Sequence, residues 1–146
     1  MAHVWHVDGL RVGERRPPSA RSAWFGLALA TLCAASYVVA LVLPYYANGF
    51  AGATQEELWA HDLTTVWPYG TALGLPIGLA GILAVTVGPF LAAGTLWWSG
   101  RTLWVHRGGL ATPVRTVLTT TLLVSVGILS WLPTPMAGQL FSWFID

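Results

Sequence analysis

Three stretches of about twenty residues with hardly an ionised side chain constrain this chain more than any other feature. They cover roughly residues 24–43, 76–98 and 114–132, and Arg115 stands only at the first turn of the third. A helix of about twenty residues, at about 1.5 Å per residue, matches the roughly 30 Å hydrocarbon core of a bilayer. The sequence therefore predicts an all-α membrane protein with about three transmembrane helices.

Composition supports the same fold class. Hydrophobic residues make up 55% of the 146 residues and charged residues only 9%, whereas a typical soluble domain carries about 25% charged residues. So few charges are too few to cover a globular surface in water. The lipid bilayer is therefore the first expected partner of this chain.

Prolines mark the expected ends of these helices. Pro44 is expected to end the first span, because the residue before a proline is pushed out of the α region. Thr112-Pro113 is typical of an N-cap followed by a proline in the first helical turn, and Thr134-Pro135 repeats the pattern. The second of these signatures predicts a short C-terminal helix over about 135–145 that lies at the membrane surface.

The second span carries its own interruption at Gly88-Pro89. A proline inside a helix removes one backbone hydrogen bond and kinks the axis. We expect one span kinked at Pro89, which is favoured over two re-entrant half-helices. A fixed kink is likewise favoured over a gating hinge.

An outer loop is expected over residues 45–70. Thr54 followed by Glu57 fits a capping box, which predicts a short surface helix over about Gln55–Leu63. Leu58 and Trp59 are expected to supply the apolar contact of that helix.

The arginines set the expected orientation. There is no lysine, which is typical of a GC-rich bacterial genome. All seven arginines fall in the N-terminal arm or in the stretch from the second connector to the first turn of the third span. The positive-inside rule places that side in the cytoplasm. We therefore expect a cytoplasmic arm at 1–22, a three-helix transmembrane domain at 23–146 in the cell (cytoplasmic) membrane, and an N-in/C-out topology. The predicted topology-setting residues are Arg15, Arg16, Arg21, Arg101, Arg107 and Arg115.

Several function classes are disfavoured. Ionisable residues within a span usually mark an ion path or proton relay, and the interiors of these spans carry none. No histidine lies there to hold a haem, and no phosphate-binding loop or nucleotide fingerprint is present. The basic residues are too few for a nucleic-acid surface. We expect no cofactor, no nucleic-acid partner and no catalytic residue.

Small residues recur at four-residue spacing along the first two spans. Such stripes let helix backbones approach closely in lipid. They indicate either packing among the protein's own helices or a seam for self-association or a partner, and the internal reading is favoured. The predicted helix-packing residues are Gly26, Ala30, Ala34, Gly74, Gly78, Ala84 and Gly88.

Two further clusters of polar residues could have either a structural or a functional role. Hydroxyl groups crowd the start of the third span, where hydrogen bonds within and between helices are favoured over a pore lining: Thr116, Thr119, Thr120, Thr121 and Ser125. Glu57 and His61 would share a helix face at four-residue spacing and are able to ligate a metal, but two ligands do not make a site.

Three hypotheses for function follow. The leading one is a non-enzymatic accessory or assembly subunit of a membrane complex, or a homo-oligomer, that acts through helix contacts. The alternative is a small oligomeric permease or lipid-handling protein, suggested by the interrupted second span and the hydroxyl cluster. The least favoured is an enzyme that uses Glu57 and His61 in the outer loop.

Overall fold

The computed structural model describes residues 17–145, and within that range it contains helices and turns but no strand. Arg15 and Arg16 lie outside the described residues. The helices are α1 (Ala20–Tyr37), a π-helical turn (Val38–Val42), α2 (Leu43–Ala47), α3 (Gln55–Trp59), a 3-10 turn (Leu63–Thr65), α4 (Gly74–Thr86), α5 (Gly88–Val105), α6 (Thr112–Trp131) and α7 (Pro135–Ile145).

Two helices are long and apolar enough to cross a membrane. The bent pair α4–α5 provides a third candidate span if its two helices are counted together. The first two candidates are Ala20–Ala47 and Thr112–Trp131. Large apolar side chains point outward along these helices; Phe25 and Phe90, for example, are 71% and 78% exposed. The fold is therefore all-helical, with two or three candidate membrane-spanning helices.

The first helix runs through Pro44 to Ala47, so the expected end at Pro44 is wrong. In a regular α-helix the proline ring would clash with the carbonyl of Ala40, and that carbonyl would receive no backbone N–H from Pro44. The preceding turn, Val38–Val42, is instead π-helical, and Leu43 N–H donates to the carbonyl of Val38. The hydroxyl of Tyr69 donates to the Ala40 carbonyl in place of the missing amide. The proline is thus accommodated by a wider turn and a side-chain donor.

The second apolar region is two helices rather than one continuous helix. α4 and α5 meet at Val87 with a bend of 52°, and Pro89 lies in the first turn of α5. The bend thus coincides with the kink predicted at Pro89. α4 begins beside Tyr69, whereas the far half of α5 carries Trp98, which packs under the first turns of α1.

Capping predictions have mixed outcomes. The capping box of Thr54 and Glu57 is present, although its helix ends at Trp59 rather than Leu63. Thr134 Oγ1 accepts from Ala137 N–H at 3.2 Å, so the predicted cap of α7 is confirmed. At α6 the N-cap is Ala111, without a side-chain bond, and the prediction that Thr112 caps this helix is wrong.

Two apolar clusters occupy opposite ends of the bundle. At one end α7 and the loop after α2 fold over the end of the first helix, and we call this cluster the aromatic cap: Ala40, Leu41, Tyr45, Phe50, Leu58, Val66, Leu140, Trp143 and Phe144. Leu58 is buried there as expected, whereas Trp59 is 55% exposed. At the other end, α1, α5 and α6 meet around Ala23, Val114, Val117 and Leu118.

Charge is divided between these two ends. The described arginines flank the second cluster, which we call the arginine end: Arg21, Arg101, Arg107 and Arg115. The acidic residues within 17–145 all lie at the aromatic cap, on α3 and the segment after it: Glu56, Glu57 and Asp62. The long axis of the bundle therefore separates basic from acidic groups.

Candidate functional site

The predicted small-residue stripe of α1 is mostly used within the molecule. Gly26 is buried under the ring of Trp98, and a Cβ added there would lie 2.9 Å from its Cζ3. Ala30 is buried as well. At Gly74 an added Cβ would meet the carbonyl of Tyr69, so this glycine permits a close backbone turn. These three residues serve internal packing, which is the favoured of the two expectations.

The other four predicted packing residues border grooves of the molecule, and two of them, Ala84 and Gly88, are themselves buried. Ala34, Ala84 and Gly88 line a lateral cleft between α1, the α4–α5 bend and α6. Gly78 lines a separate groove beneath Phe144. Gly127 of α6, which the sequence did not single out, forms part of the cleft wall opposite Ala34 and Ala84.

The cleft has a volume of about 610 Å³ and is almost entirely apolar. That volume falls within the roughly 300–1,000 Å³ of ordinary ligand pockets. A Cβ added at Gly88 or at Gly127 would meet nothing within 4 Å. The cleft is therefore real open space rather than a seam between touching backbones.

Two helix irregularities border this space. Val38 and Val42, the first and last residues of the π-helical turn, lie on one wall, while Gly88 and Pro89 lie at the bend on another. A π-helical turn is wider than an α-helical one and often occurs at functional sites. Because both departures from regular helix occur at the same depth of the bundle, the walls separate there.

Two polar atoms at the aromatic-cap end of the cleft lack hydrogen bonds. The hydroxyl of Tyr37 and the indole N–H of Trp131 are buried, and neither makes a hydrogen bond to any group in residues 17–145. The indole is a close electrostatic neighbour of the hydroxyl. An indole N–H only donates, so even if it paired with the Tyr37 oxygen, the Tyr37 O–H would still need an acceptor.

The hydroxyl cluster of α6 is mainly bonded within its own helix. Thr116, Thr119 and Thr121 donate to carbonyls four residues back. Ser125 is different because its Oγ lies 2.9 Å from Oγ1 of Thr95 on α5, and both residues are buried. The lining of the cleft includes no member of this cluster.

Sequence reasoning missed Thr95 and Ser99 on α5. Both are buried, and each hydroxyl donates to a carbonyl of its own helix. Their signal was available, since Ala92, Thr95 and Ser99 follow one another at three- and four-residue spacing. This stripe is the face of α5 that meets α6.

The acidic groups of the outer loop are engaged in caps. Glu57 accepts from Thr54 N–H at 2.7 Å, and this hydrogen bond lowers the pKa of Glu57. Asp62 accepts from Thr64 N–H at 2.9 Å, which lowers the pKa of Asp62 in the same way. His61 lies beyond the end of α3 and stacks on Phe50 at 5.1 Å between ring centroids. Glu57 and His61 therefore do not share a helix face.

No three His, Cys, Asp or Glu side chains come together to hold a metal ion within residues 17–145. The single cysteine, Cys33, lies on the wall of the lateral cleft. No known protein family, curated protein or solved structure matches this chain. The cleft at the helix break is therefore the candidate site on its geometry alone.

Proposed function

We propose that the protein is a non-enzymatic accessory or assembly subunit of a complex in a bacterial cytoplasmic membrane. In this proposal three spans cross the bilayer, the N-terminus is cytoplasmic, and the aromatic cap faces the outside. The lateral cleft receives one transmembrane helix of a partner protein.

The path of the bent pair supports three spans. α4 starts at the aromatic cap, where Gly74 lies against Tyr69, and α5 ends at the arginine end, where its residue Leu103 packs on the second cluster. A re-entrant loop would return to the end at which it began. The collection of Arg21, Arg101 and Arg115 at a single end supports the cytoplasmic placement of that end.

The observation that carries the docking proposal is the run of small residues on three different walls of one apolar cleft. Ala34 on α1, Ala84 on α4, Gly88 on α5 and Gly127 on α6 all line it. In lipid, helices associate by close packing at small residues, because the hydrophobic effect provides no drive between them. A single helix lying in this cleft would contact all of these walls at once.

Site-specific photocrosslinking tests the proposal in the native membrane. A photoreactive residue at Val124, in the cleft, should give one discrete crosslinked protein, whereas the same residue at exposed Leu123 should not. Gly127→Leu fills the cleft and should abolish the crosslink. Gly94→Leu is the matched control, because an added Cβ at Gly94 also meets nothing within 4 Å and the cleft does not include it.

The identity of the crosslinked species decides the outcome. A partner membrane protein, lost in Gly127→Leu and kept in Gly94→Leu, supports the accessory role. If the crosslinked species is a second copy of this chain, the cleft is a site of self-association and the accessory role is wrong. Crosslinks to lipid alone, or crosslinks unaffected by filling the cleft, would overturn the docking proposal.

A second candidate function is lipid handling, and the almost entirely apolar lining of the cleft favours it. An acyl chain would fill this space. This candidate predicts that Gly127→Leu and Pro89→Ala lower lipid exchange or solute flux in liposomes without altering folding. Flux at the level of protein-free liposomes would exclude it.

A further inference from the structure

A second groove lies between α5 and α6 at the arginine end, well away from the lateral cleft. Its volume is about 380 Å³. Gly100 and Leu103 of α5 form one wall, and Leu122 of α6 forms another. The absence of a side chain at Gly100 helps to keep the groove open, since a Cβ there would lie 3.7 Å from Leu122 Cδ1.

Two arginines border this apolar groove. Arg107, from the connector after α5, and Arg115, from the first turn of α6, both line it. The guanidinium carbon of Arg107 lies 3.3 Å from the centroid of the Trp104 ring. Stacking occupies the face of a guanidinium and leaves the N–H groups along its edge free to donate. The tryptophan therefore orients Arg107 while its donors remain available.

The positive charge of this groove is not neutralised by the rest of the described chain. The acidic residues of 17–145, which are Glu56, Glu57 and Asp62, all lie at the opposite, aromatic-cap end. Two guanidinium groups that border the same groove repel each other, and an anion bound between them would relieve that repulsion. The groove thus combines uncompensated positive charge with an apolar lining.

We propose that this groove binds one anionic glycerophospholipid from the leaflet at the arginine end. The phosphate oxygens accept hydrogen bonds from Arg107 and Arg115, and an acyl chain lies along Gly100, Leu103 and Leu122. The groove stands where charged residues give way to the uncharged part of α5 and α6, which is the depth of a lipid phosphate. Basic pockets between transmembrane helices are known to hold anionic headgroups in this way.

A lipid fits this groove better than a free anion does. Inorganic phosphate would satisfy the two arginines but would leave the leucine walls uncovered. A zwitterionic lipid would cover the walls, but its own cationic group would face the guanidinium pair. Only an anionic headgroup joined to an acyl chain meets both halves of the groove. This site is separate from the lateral cleft and does not depend on the occupant of that cleft.

Native mass spectrometry of the full chain tests the proposal. The protein is released from micelles that contain equal amounts of phosphatidylglycerol and phosphatidylcholine with identical acyl chains. The wild type should retain phosphatidylglycerol preferentially. Each arginine near anionic lipid contributes about a fivefold preference, so Arg107→Gln and Arg115→Gln should each lower the ratio by about fivefold.

Two further variants separate a specific groove from general surface charge. Arg21→Gln removes an exposed arginine from the same end of the bundle without touching the groove, so it should lower the ratio clearly less than Arg107→Gln does. Gly100→Leu changes no charge but fills the acyl part of the groove, so it should lower retention of phosphatidylglycerol. Circular dichroism of each variant checks that the helices have formed.

Three results would overturn the proposal. Equal retention of the two lipids by the wild type is the first, and an equal effect of Arg21→Gln and Arg107→Gln is the second. The third is complete displacement of phosphatidylglycerol by inorganic phosphate while Gly100→Leu has no effect, because the ligand would then be the free anion.

Discussion

The contact between Gly81 and the C-terminal helix offers a sharp test of the fold. An added Cβ at Gly81 would lie 2.5 Å from Cζ of Phe144, 3.0 Å from its Cε2 and 3.1 Å from Cβ of Ala40. Ordinary carbon contacts lie at about 3.5–4.0 Å. Gly81→Ala therefore requires the Phe144 ring to retreat by about 1 Å, although Tyr69 packs against that ring at 6.0 Å between centroids.

Two opposing terms set the size of the effect. Overpacking of this kind typically costs about 1–3 kcal/mol. Replacement of glycine by alanine inside a helix gains about 0.8–1.0 kcal/mol. Gly94→Ala isolates the second term, because an added Cβ at Gly94 meets nothing within 4 Å. Gly81→Ala should therefore be about 1–3 kcal/mol less stable than Gly94→Ala.

Reversible unfolding in mixed micelles, followed by circular dichroism, measures both variants. Phe144→Leu removes the ring atoms that meet the new methyl group, so it should recover part of the loss in Gly81→Ala. The two substitutions should therefore be coupled in a double-mutant cycle. If Gly81→Ala and Gly94→Ala unfold within about 0.5 kcal/mol of each other and Phe144→Leu is additive, α7 does not pack on α4 as described.

Three further predictions follow from hydrogen bonds and pKa values. Ser125→Ala and Thr95→Val should each cost about 0.6 kcal/mol, with a coupling energy no greater than about 1.7 kcal/mol in a double-mutant cycle. The hydrogen bond from Thr54 N–H lowers the pKa of Glu57, so the cap of α3 is stable above the ordinary pKa of 4.5 and weakens as pH falls through the lowered value. Relative to its intrinsic rate, hydrogen exchange at Thr54 should accelerate there, and in Glu57→Ala, which removes the acceptor, it should be fast and show little dependence on the titration. Burial raises the pKa of Tyr69 from 10.0 to about 12, so stability should fall as pH rises from about 10 to about 12, and the ultraviolet absorbance of tyrosinate should follow it. In Tyr69→Phe that loss should disappear; an unchanged alkaline transition would assign it to another group.

The sequence predicted features that depend on neighbouring residues. The capping box at Thr54 and Glu57 and the cap at Thr134 need only side chains within three residues of an amide, and both formed. The start of α6 shows the limit of such rules. There Pro113 is in the first turn as expected, but the helix begins at Thr112 itself, so that the cap position falls on Ala111.

The fate of the small residues was not predictable from their spacing. Gly26 and Gly88 follow the same pattern, yet the ring of Trp98 occupies the space beside Gly26, whereas the space beside Gly88 is open. The difference comes from Trp98, which is distant in sequence from Gly26. Periodicity can identify a face on which helices approach closely, but it does not say whether the partner is internal.

One wall of the cleft contains a feature that the rules for helix ends did not predict. Those rules place Pro44 at the end of a span, yet the helix continues, because the π-helical turn moves the backbone away from the ring and Tyr69 supplies the missing donor for Ala40. The requirement for that donor ties the first helix to the loop before α4. Pro89 deforms the facing wall at the same depth. The cleft therefore lies where two irregular stretches of helix face each other, and a proline lies in or just after each irregular stretch.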